Sequence, residues 1–465
     1  MTSLVASRTA ASGPHEPHAK PSRPLVLGVL GALAAVVVAG VVTGNGIYLL
    51  GALGFLVALL VSVTLHEAGH YFTAKRYGMK ATQFFVGFGP TLFSRQRGET
   101  EVGIKAIPAG GFVKIVGMTQ LEEVDPADEA RAFWRQPAGQ RAVVLAAGST
   151  VHFVIAVLLV LLSSLAIGKA VEVAPGIGLV APCVTAAAGG ACTDGGSLPS
   201  PARAAGLRAE DVVLAVDGAP VAGTEELVRA LRSRPGVPVV VKVLRGDTEL
   251  NLTVTPVAVA RPSLDPLRDA AGQPVRDRAG AIVYPTERVG AIGVLPAFRQ
   301  DTQLLNPVEA VGHSIDMGRL MVTGIVSTFT EKLGTITKVY GPDRDPAGFV
   351  GVVGAGRISG EVIASPETLS IKVLSFILLI AGLNLFVGVF NLLPLLPLDG
   401  GHLAVLGFEQ ARDKLRRTFS GYTGPLRRVD LTRLLPLTYA VVVFFAAFTV
   451  WLLGADLVNP IRISS

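Results

Sequence analysis

A run of 41 residues without Asp, Glu, Lys or Arg, from Leu25 to Leu65, constrains this chain more than any other feature. As one helix it would extend about 60 Å, twice the thickness of the hydrocarbon core of a bilayer. The turn-forming sequence TGNG at 43–46 interrupts the run, which predicts two membrane spans joined by a tight hairpin. A cleaved signal peptide is the alternative for the first half, but the apolar stretch is too long and lacks a clear small-residue cleavage site.

Three further charge-free runs reach the length of about 20 residues that a membrane-spanning helix needs. Only 16% of the residues are charged, whereas soluble domains carry about 25%, which argues against a plain soluble enzyme. The chain is therefore predicted to be a polytopic α-helical membrane protein. Its five predicted spans are 25–43, 46–70, 142–168, 369–401 and 434–455.

Clusters of Lys and Arg predict the orientation of the spans, because basic residues collect on the cytoplasmic side of a membrane protein. Such clusters occur in the tail at 1–24, directly after the second span, and in the basic loop at 402–433. This places the N-terminus in the cytoplasm and the long segment after the third span outside it, in a multi-pass protein of the cell membrane. The net charge of +6 then reflects topology and contact with membrane lipids, not a nucleic-acid partner.

The segments between the spans contain β-like patterns. Residues 71–141 carry glycine-punctuated pieces that predict a hairpin or small sheet, either on the bilayer face or as an ordinary cytoplasmic loop. Residues 169–305 predict a compact extracytoplasmic α+β domain, with a strand before an Asp-Gly turn at 217–218, a short helix at 225–232 and strands at 239–244 and 250–255. The remaining predicted segments are a linker or loop at 261–288, an amphipathic helix and linker at 306–368, and a tail at 456–465.

Cys183 and Cys192 are the only cysteines, which excludes a disulfide scaffold and a cysteine-rich zinc module. They lie nine positions apart on the predicted exterior side, where a disulfide is chemically allowed. Two free thiols are the alternative. A bond closing so short a loop would contribute at most a few kcal/mol.

The sequence HEAGH at 66–70 lies at the inner end of the second predicted span. Histidines at positions i and i+4 share one helical face, so His66 and His70 can bind one metal ion. Neutral imidazoles suit Zn²⁺, and Glu67 beside them can take a proton from a water molecule. Three ionisable groups in five residues of a membrane helix are costly and point to a function. A helix end that reaches the interface without a metal is the alternative.

A catalytic zinc site usually has three protein ligands, so one more is needed. Asp399 closes the fourth predicted span, which runs in the same direction as the second and would bring this carboxylate to a similar depth. Pro394 and Pro397 must distort that helix and open room for water or a peptide. The alternatives are that Asp399 caps a turn before two glycines, or that His402 is the ligand instead.

The HEAGH motif, the sequence NLLPLLPLDGG at 391–401 and a soluble domain between them resemble the site-2 protease family of intramembrane zinc metalloproteases. The soluble domain resembles PDZ through residues 200–207 and 216–218, as in the bacterial branch of that family. The resemblance implies a zinc metalloendopeptidase with Zn²⁺ held by His66, His70 and Asp399, and with Glu67 as general base. It also implies that Asn391 contacts the substrate backbone or polarises the scissile carbonyl. An interhelical hydrogen bond is the alternative role for Asn391.

The chain departs from the family pattern in several places. The span at 25–43 is additional, and a cysteine-flanked insertion lies near 184–199. His152 stands where the family usually has Asn in a Gly-x-x-x-Asn pattern. Three roles are open for this histidine: a partner of the metal-binding residues, a transient ligand, or a hydrogen-bonded core residue.

The expected function is regulated intramembrane proteolysis. The resemblance implies that another protease first removes the exterior domain of a single-pass membrane substrate, and that this enzyme then cuts within the membrane. Anti-sigma factors and signal-peptide remnants are the implied substrates, while the PDZ-like domain excludes intact ectodomains or binds new C-termini. A catalytically inactive PDZ-bearing scaffold is one competitor. A secondary transporter is the other, but the chain has few spans and no inverted repeat.

Overall fold

The computed structural model of the protein describes most of the chain from residue 42 onward. The described residues are scattered positions between 28 and 40, and then 42–118, 124–185, 192, 197–270, 272–275, 277, 282–341, 344–345, 348–421, 423–424 and 428–461. The predicted tail at 1–24 and most of the predicted span at 25–43 lie outside these residues.

The chain divides into two compact units. The first comprises residues up to Ser164, together with Pro307–Ser365 and Ser375–Ser465, and the second comprises Leu165–Asn306 and Pro366–Leu374. The helices, in chain order, are α1 Gly46–Arg76, α2 Ala138–Ala166, α3 Pro201–Ala204, α4 Thr224–Arg232, α5 Pro307–Thr330, α6 Val352–Ala364, α7 Leu369–Asn391, α8 Asp399–Ser420 and α9 Leu435–Val458. The strands are β1 Ala81–Arg97, β2 Thr100–Ile115, β3 Lys169–Val180, β4 Cys183–Thr185, β5 Ser197–Pro199, β6 Val212–Val216, β7 Ala219–Pro220, β8 Val239–Arg245, β9 Thr248–Val254, β10 Val257–Pro262, β11 Thr286–Ala291 and β12 Val294–Gln303.

Four helices among the described residues are long and apolar enough to cross a membrane. They are α1, α2, α7 and the helical segment Leu431–Val458 that contains α9. They correspond to the second to fifth predicted spans, although α1 and α2 extend several residues further toward the segment between them. The predicted span at 25–43 remains a prediction.

The fourth span was predicted to run from 369 to 401, and this boundary is wrong. Helix α7 ends at Asn391, and α8 begins only at Asp399. Pro394 and Pro397 in between lack the N–H that a continuing helix needs, so the backbone leaves the helix here.

The basic loop predicted at 402–433 is also largely helical. Helix α8 continues to Ser420, where Gly421 adopts a left-handed conformation that ends it. Charged side chains one turn apart stabilise this helix. Arg417 Nε, for example, donates a hydrogen bond to Asp413 Oδ2 at 2.8 Å.

Residues 71–141 contain a long β-hairpin in which β1 pairs antiparallel with β2 through several bulges. Glu99, at the turn, binds Lys75 at the end of α1 and accepts two hydrogen bonds from the Arg131 guanidinium at 2.7 and 2.8 Å. These hydrogen bonds lower the pKa of Glu99 to about 2. The stabilisation is therefore present above the unfolded pKa of about 4.3 and is lost as the pH falls through about 2.

The second unit is built on a six-stranded sheet with the order β12-β3-β6-β8-β9, and β7 pairs with β6. Alternating apolar residues of β8 face a core that also buries Leu227 and Leu231 of α4. These strands and this helix lie within one or two residues of the predicted positions. The segment predicted as a linker or loop at 261–288 connects β10 to β11, which overlap its ends and pair antiparallel in a separate two-stranded sheet. A disulfide joins Cys183 and Cys192, with their Cα atoms 5.9 Å apart.

The segment at 306–368 forms two helices, α5 and α6, instead of one helix and a linker. Helix α6 packs against α1 at small residues, and Ser359 Oγ donates to the Gly51 carbonyl at 2.9 Å. A methyl group added to Gly51 would lie 2.5 Å from the Ser359 carbonyl oxygen, so this close approach depends on glycine.

Asp456 in the last turn of α9 fixes the start of α6. Its Oδ2 accepts a hydrogen bond from the Gly354 N–H, and its Oδ1 accepts one from Arg344, both at 2.8 Å. Both charged side chains are almost fully buried, with exposed fractions of 1% for Asp456 and 5% for Arg344. Removing one partner of such a pair leaves an uncompensated buried charge.

We therefore expect Asp456→Ala to destabilise the first unit by about 3–5 kcal/mol. The measurement is the thermal unfolding midpoint in detergent. Asp316→Ala is the matched control, since Asp316 pairs with Arg319 on the surface, where both side chains are at least 75% exposed. Equal midpoints for the two variants would contradict the prediction.

Candidate metal centre

His66 and His70 lie one turn apart on the same face of α1. Both are buried, with exposed fractions of 7% and 4%, and their Nε2 atoms are 3.2 Å apart. The helical period alone brings them together, as the HEAGH spacing predicts.

Asp399 completes a cluster of three. The break between α7 and α8 places this residue at the first position of α8, where its Oδ2 lies 3.3 Å from His66 Nε2 and 3.2 Å from His70 Nε2. Donor atoms bound at about 2.0–2.1 Å in a tetrahedral zinc site lie about 3.3 Å from one another. The three donor atoms thus already have the separations of three corners of such a tetrahedron.

The hydrogen bonds around the cluster also fit a metal. His70 Nδ1 lies 2.7 Å from the Val144 carbonyl oxygen, which can only accept, so Nδ1 carries the proton and the Nε2 lone pair faces the cluster. Within the part of the chain that the structure describes, His66 Nδ1 and Asp399 Oδ2 are buried without a hydrogen-bond partner. A carboxylate oxygen enclosed by two imidazoles and no hydrogen-bond donor suits a bound cation.

Three glycines allow the cluster to form. A methyl group on Gly148 of α2 would lie 2.3 Å from His66 Cε1 and 2.5 Å from His70 Nε2. Methyl groups on Gly400 and Gly401 would lie 2.2 and 2.6 Å from the backbone of the segment that leads into α8. Sequence reasoning noted Gly148 only as part of a pattern, because a close approach between helices leaves no local signal.

Glu67 is half-buried beside the hairpin. A methyl group on Gly111 of β2 would lie 3.3 Å from Glu67 Cγ, and the Val113 backbone is within hydrogen-bonding reach of the carboxylate. The hairpin therefore covers the side of α1 that carries the candidate base.

His152 lies beside the cluster but outside the three-residue set. Its ring centroid is 5.0 Å from that of His66, and its Nδ1 lies 2.8 Å from Asn384 Oδ1. Asn384 Nδ2 donates to the Ile380 carbonyl and to Ser62 Oγ, so its Oδ1 must accept the proton of His152 Nδ1. This bond holds the ring in place beside His66.

Sequence reasoning missed Asn384. Asn384 is fully buried and links α1, α2 and α7 through hydrogen bonds. Asn391, the predicted substrate-contacting residue, ends α7. A polar residue in a charge-free span was the signal that could have pointed to Asn384. His402, the alternative ligand, lies one turn beyond Asp399 and outside the cluster.

The family model of peptidase family M50 matches residues 54–423. The chain belongs to peptidase family M50. It is 35% identical over 426 residues to zinc metalloprotease Rip1 of Mycobacterium tuberculosis, covering 90% of this chain and 99% of that protein. It is 33% identical over 434 residues to zinc metalloprotease Rip1 of Mycolicibacterium smegmatis, covering 89% and 98%.

These findings confirm the predicted resemblance to the site-2 proteases, the predicted enzyme class and the predicted cofactor. This M50 peptidase is a zinc metalloprotease, and the four apolar helices among its described residues make it a multi-pass membrane protein. The cluster of His66, His70 and Asp399 has the chemistry and spacing that such a cofactor needs.

Proposed function

We propose that this chain cleaves peptide bonds within the membrane-spanning segments of other membrane proteins, with zinc held by His66, His70 and Asp399. The observation that carries the proposal is the triangle of donor atoms with sides of 3.2–3.3 Å, buried at the end of an apolar helix. A site at this position is more accessible to a peptide that lies among helices than to a peptide in bulk water.

Zinc supplies a Lewis acid that polarises the scissile carbonyl and acidifies water. Glu67 is the residue that takes a proton from the attacking water at its carboxylate and returns it to the departing amine nitrogen. The Val113 backbone beside it restricts the directions in which that carboxylate can point. Asn391 contacts the substrate backbone or the scissile carbonyl in this proposal.

The hairpin supplies a place for the substrate. A membrane helix hides its carbonyl groups in its own hydrogen bonds, so a substrate must unwind locally before it is cut. In the described part of the chain, residues 83–86 of β1 pair with β2 on both sides, so the open edges of this sheet are residues 111–115 of β2 and 91–97 of β1. An unwound segment can add to such an edge, next to Glu67.

The wider cellular role follows from the predicted topology. The substrates are single-pass membrane proteins, including anti-sigma factors or signal-peptide remnants, whose exterior domains another protease has removed. The enzyme lies in the plasma membrane with its N-terminus in the cytoplasm, and the second unit is an extracytoplasmic PDZ-like domain that excludes bulky ectodomains or binds new C-termini.

The decisive experiment replaces Glu67 with Gln in the full chain. We expect zinc content to stay near that of the wild type, because Glu67 is not a ligand, while cleavage of a membrane-embedded reporter falls by about 10²–10⁴-fold. Zinc is measured by elemental analysis and cleavage by gel mobility of the reporter.

Glu331→Gln is the matched control, because Glu331 is exposed at the surface after α5. Undiminished cleavage in Glu67→Gln would remove this residue from the chemistry. A wild-type protein that binds zinc but cleaves no membrane segment would favour the inactive scaffold instead.

A further inference from the structure

A cavity of about 270 Å³ lies next to the metal centre but is not part of it. Its walls come from the start of α2, the face of α8 that carries Leu406 and Glu409, the short helical turn at Phe133–Arg135, and residues 428–431. His402, one turn after Asp399, lines it. The volume is several times the roughly 30 Å³ that one water molecule takes in the liquid, so a small oxyanion fits together with water.

Two arginines line this cavity, and the buried one, Arg141, is poorly compensated. Arg141 has a side chain that is only 11% exposed, and its guanidinium lies 3.8 Å from Glu409, beyond hydrogen-bond distance. Its buried Nε has no hydrogen-bond partner among the residues that the structure describes. A buried guanidinium with unused donors requires an acceptor.

Arg428 is the second cation. It stacks on Trp134, with its guanidinium carbon 4.3 Å from the ring centre, and Nη2 donates to the Trp134 carbonyl at 2.9 Å. Partial burial and the repulsion of Arg141 lower the pKa of Arg428. Stacking fixes the plane of this guanidinium and leaves donors of its fork for a ligand.

The acidic group of the cavity is already engaged. Glu409 Oε1 accepts a hydrogen bond from the Val429 N–H at 2.7 Å, and its side chain is only 6% exposed. Among the described residues that line the cavity, one carboxylate stands against two guanidinium groups, which leaves one net positive charge. An anion with several acceptor oxygens satisfies both arginines at once.

We propose that this cavity binds a phosphate group between Arg141 and Arg428. Guanidinium forks match the oxygens of phosphate in pairs. Arg141 lies in the first turn of a membrane-spanning helix, and basic pockets at that level between helices bind the headgroups of anionic lipids. The phosphate comes either from such a headgroup or from free phosphate in solution. Because α8 carries both Asp399 and the wall of this cavity, a bound phosphate stabilises the helix that positions the metal centre.

The test uses the tryptophan in the cavity wall. The chain has two tryptophans, so Trp451→Phe leaves Trp134 as the only reporter of fluorescence. The full chain, carrying Glu67→Gln as well so that no cleavage intervenes, is titrated in neutral detergent. The probes are inorganic phosphate, phosphatidylglycerol, and a diacylglycerol with the same acyl chains and no phosphate. A failed proteolysis experiment would leave this measurement unaffected.

We expect a saturable change in Trp134 fluorescence with phosphatidylglycerol or inorganic phosphate, and none with diacylglycerol. Binding should weaken roughly 10- to 100-fold in Arg141→Gln and in Arg428→Gln, the cost of one charged hydrogen bond. Lys414→Gln, on the exposed side of α8, is the charge-matched control and should bind like the parent. Arg428 is the more exposed of the two arginines, so its variant keeps the test valid if Arg141→Gln does not fold.

The two phosphate probes separate the sources. Saturation by phosphatidylglycerol alone identifies a lipid headgroup, and saturation by inorganic phosphate at similar concentration identifies a soluble ligand. The proposal is overturned if neither probe gives a saturable response, if diacylglycerol gives the same response, or if both arginine variants bind as tightly as the parent.

Discussion

Replacing Gly148 with alanine is expected to abolish zinc binding and proteolysis, although it adds a single methyl group far from Glu67 in the sequence. The added carbon would lie 2.3 Å from His66 Cε1 and 2.5 Å from His70 Nε2, distances that nonbonded atoms do not adopt. Either α2 moves away or both imidazoles turn. We expect zinc affinity to fall by at least about 100-fold, since displacing the surroundings of one ligand already costs 10- to 100-fold.

The change would otherwise favour the helix, because alanine is a better helix former than glycine by about 1 kcal/mol. Loss of the site therefore cannot be attributed to a weaker α2. Gly382→Ala in α7 is the control, since no atom lies within 4 Å of the added methyl group. Zinc affinity is measured by competition with a chelating dye. Normal affinity in Gly148→Ala would show that the two histidines are not held against α2.

Replacing Asp399 with alanine is expected to leave the protein without zinc after dialysis, and cleavage should fall by more than about 10⁴-fold. Two histidines alone fall short of the three protein ligands that catalytic zinc sites use. When several residues act as a unit in catalysis, an enzyme loses nearly all of its activity if one of them is removed. Zinc per chain and reporter cleavage are measured on the same preparation.

Asp430→Ala is the control for this variant. Asp430 is exposed and caps the short helical turn before α9, where its carboxylate accepts a hydrogen bond from the Thr432 N–H at 3.0 Å. The Asp430→Ala variant should retain both bound zinc and proteolytic activity. Zinc bound at full stoichiometry by Asp399→Ala would mean that another residue supplies the third ligand.

The local parts of the metal centre could be predicted from the sequence. The spacing of His66 and His70 determines their shared face, because helical geometry repeats every few residues. Asp399 was harder to predict, since its proximity depends on how α1 and α8 pack. The direction of the spans and the resemblance to a family pointed to it, and the structure places its carboxylate within 3.3 Å of both imidazoles.

Other features could not be predicted because they arise only from packing between helices. The two prolines at 394 and 397 indicated a distortion, but not that a new helix begins at Asp399 and runs to Ser420. Asn384 and Asn391 lie in the same apolar run, and sequence alone does not tell which of them faces His152. The role of Gly148 is visible only when the neighbouring helix is in place.

The three donor atoms come from opposite ends of the polypeptide, since the histidines lie in the first span of the described chain and Asp399 lies in its last fifth. A ribosome must therefore synthesise most of the protein, and the later spans must insert, before the third donor exists. With the proposed ligand set, a nascent chain that has not yet reached Asp399 holds only two of the three groups, and we expect it to be unable to cleave neighbouring membrane proteins.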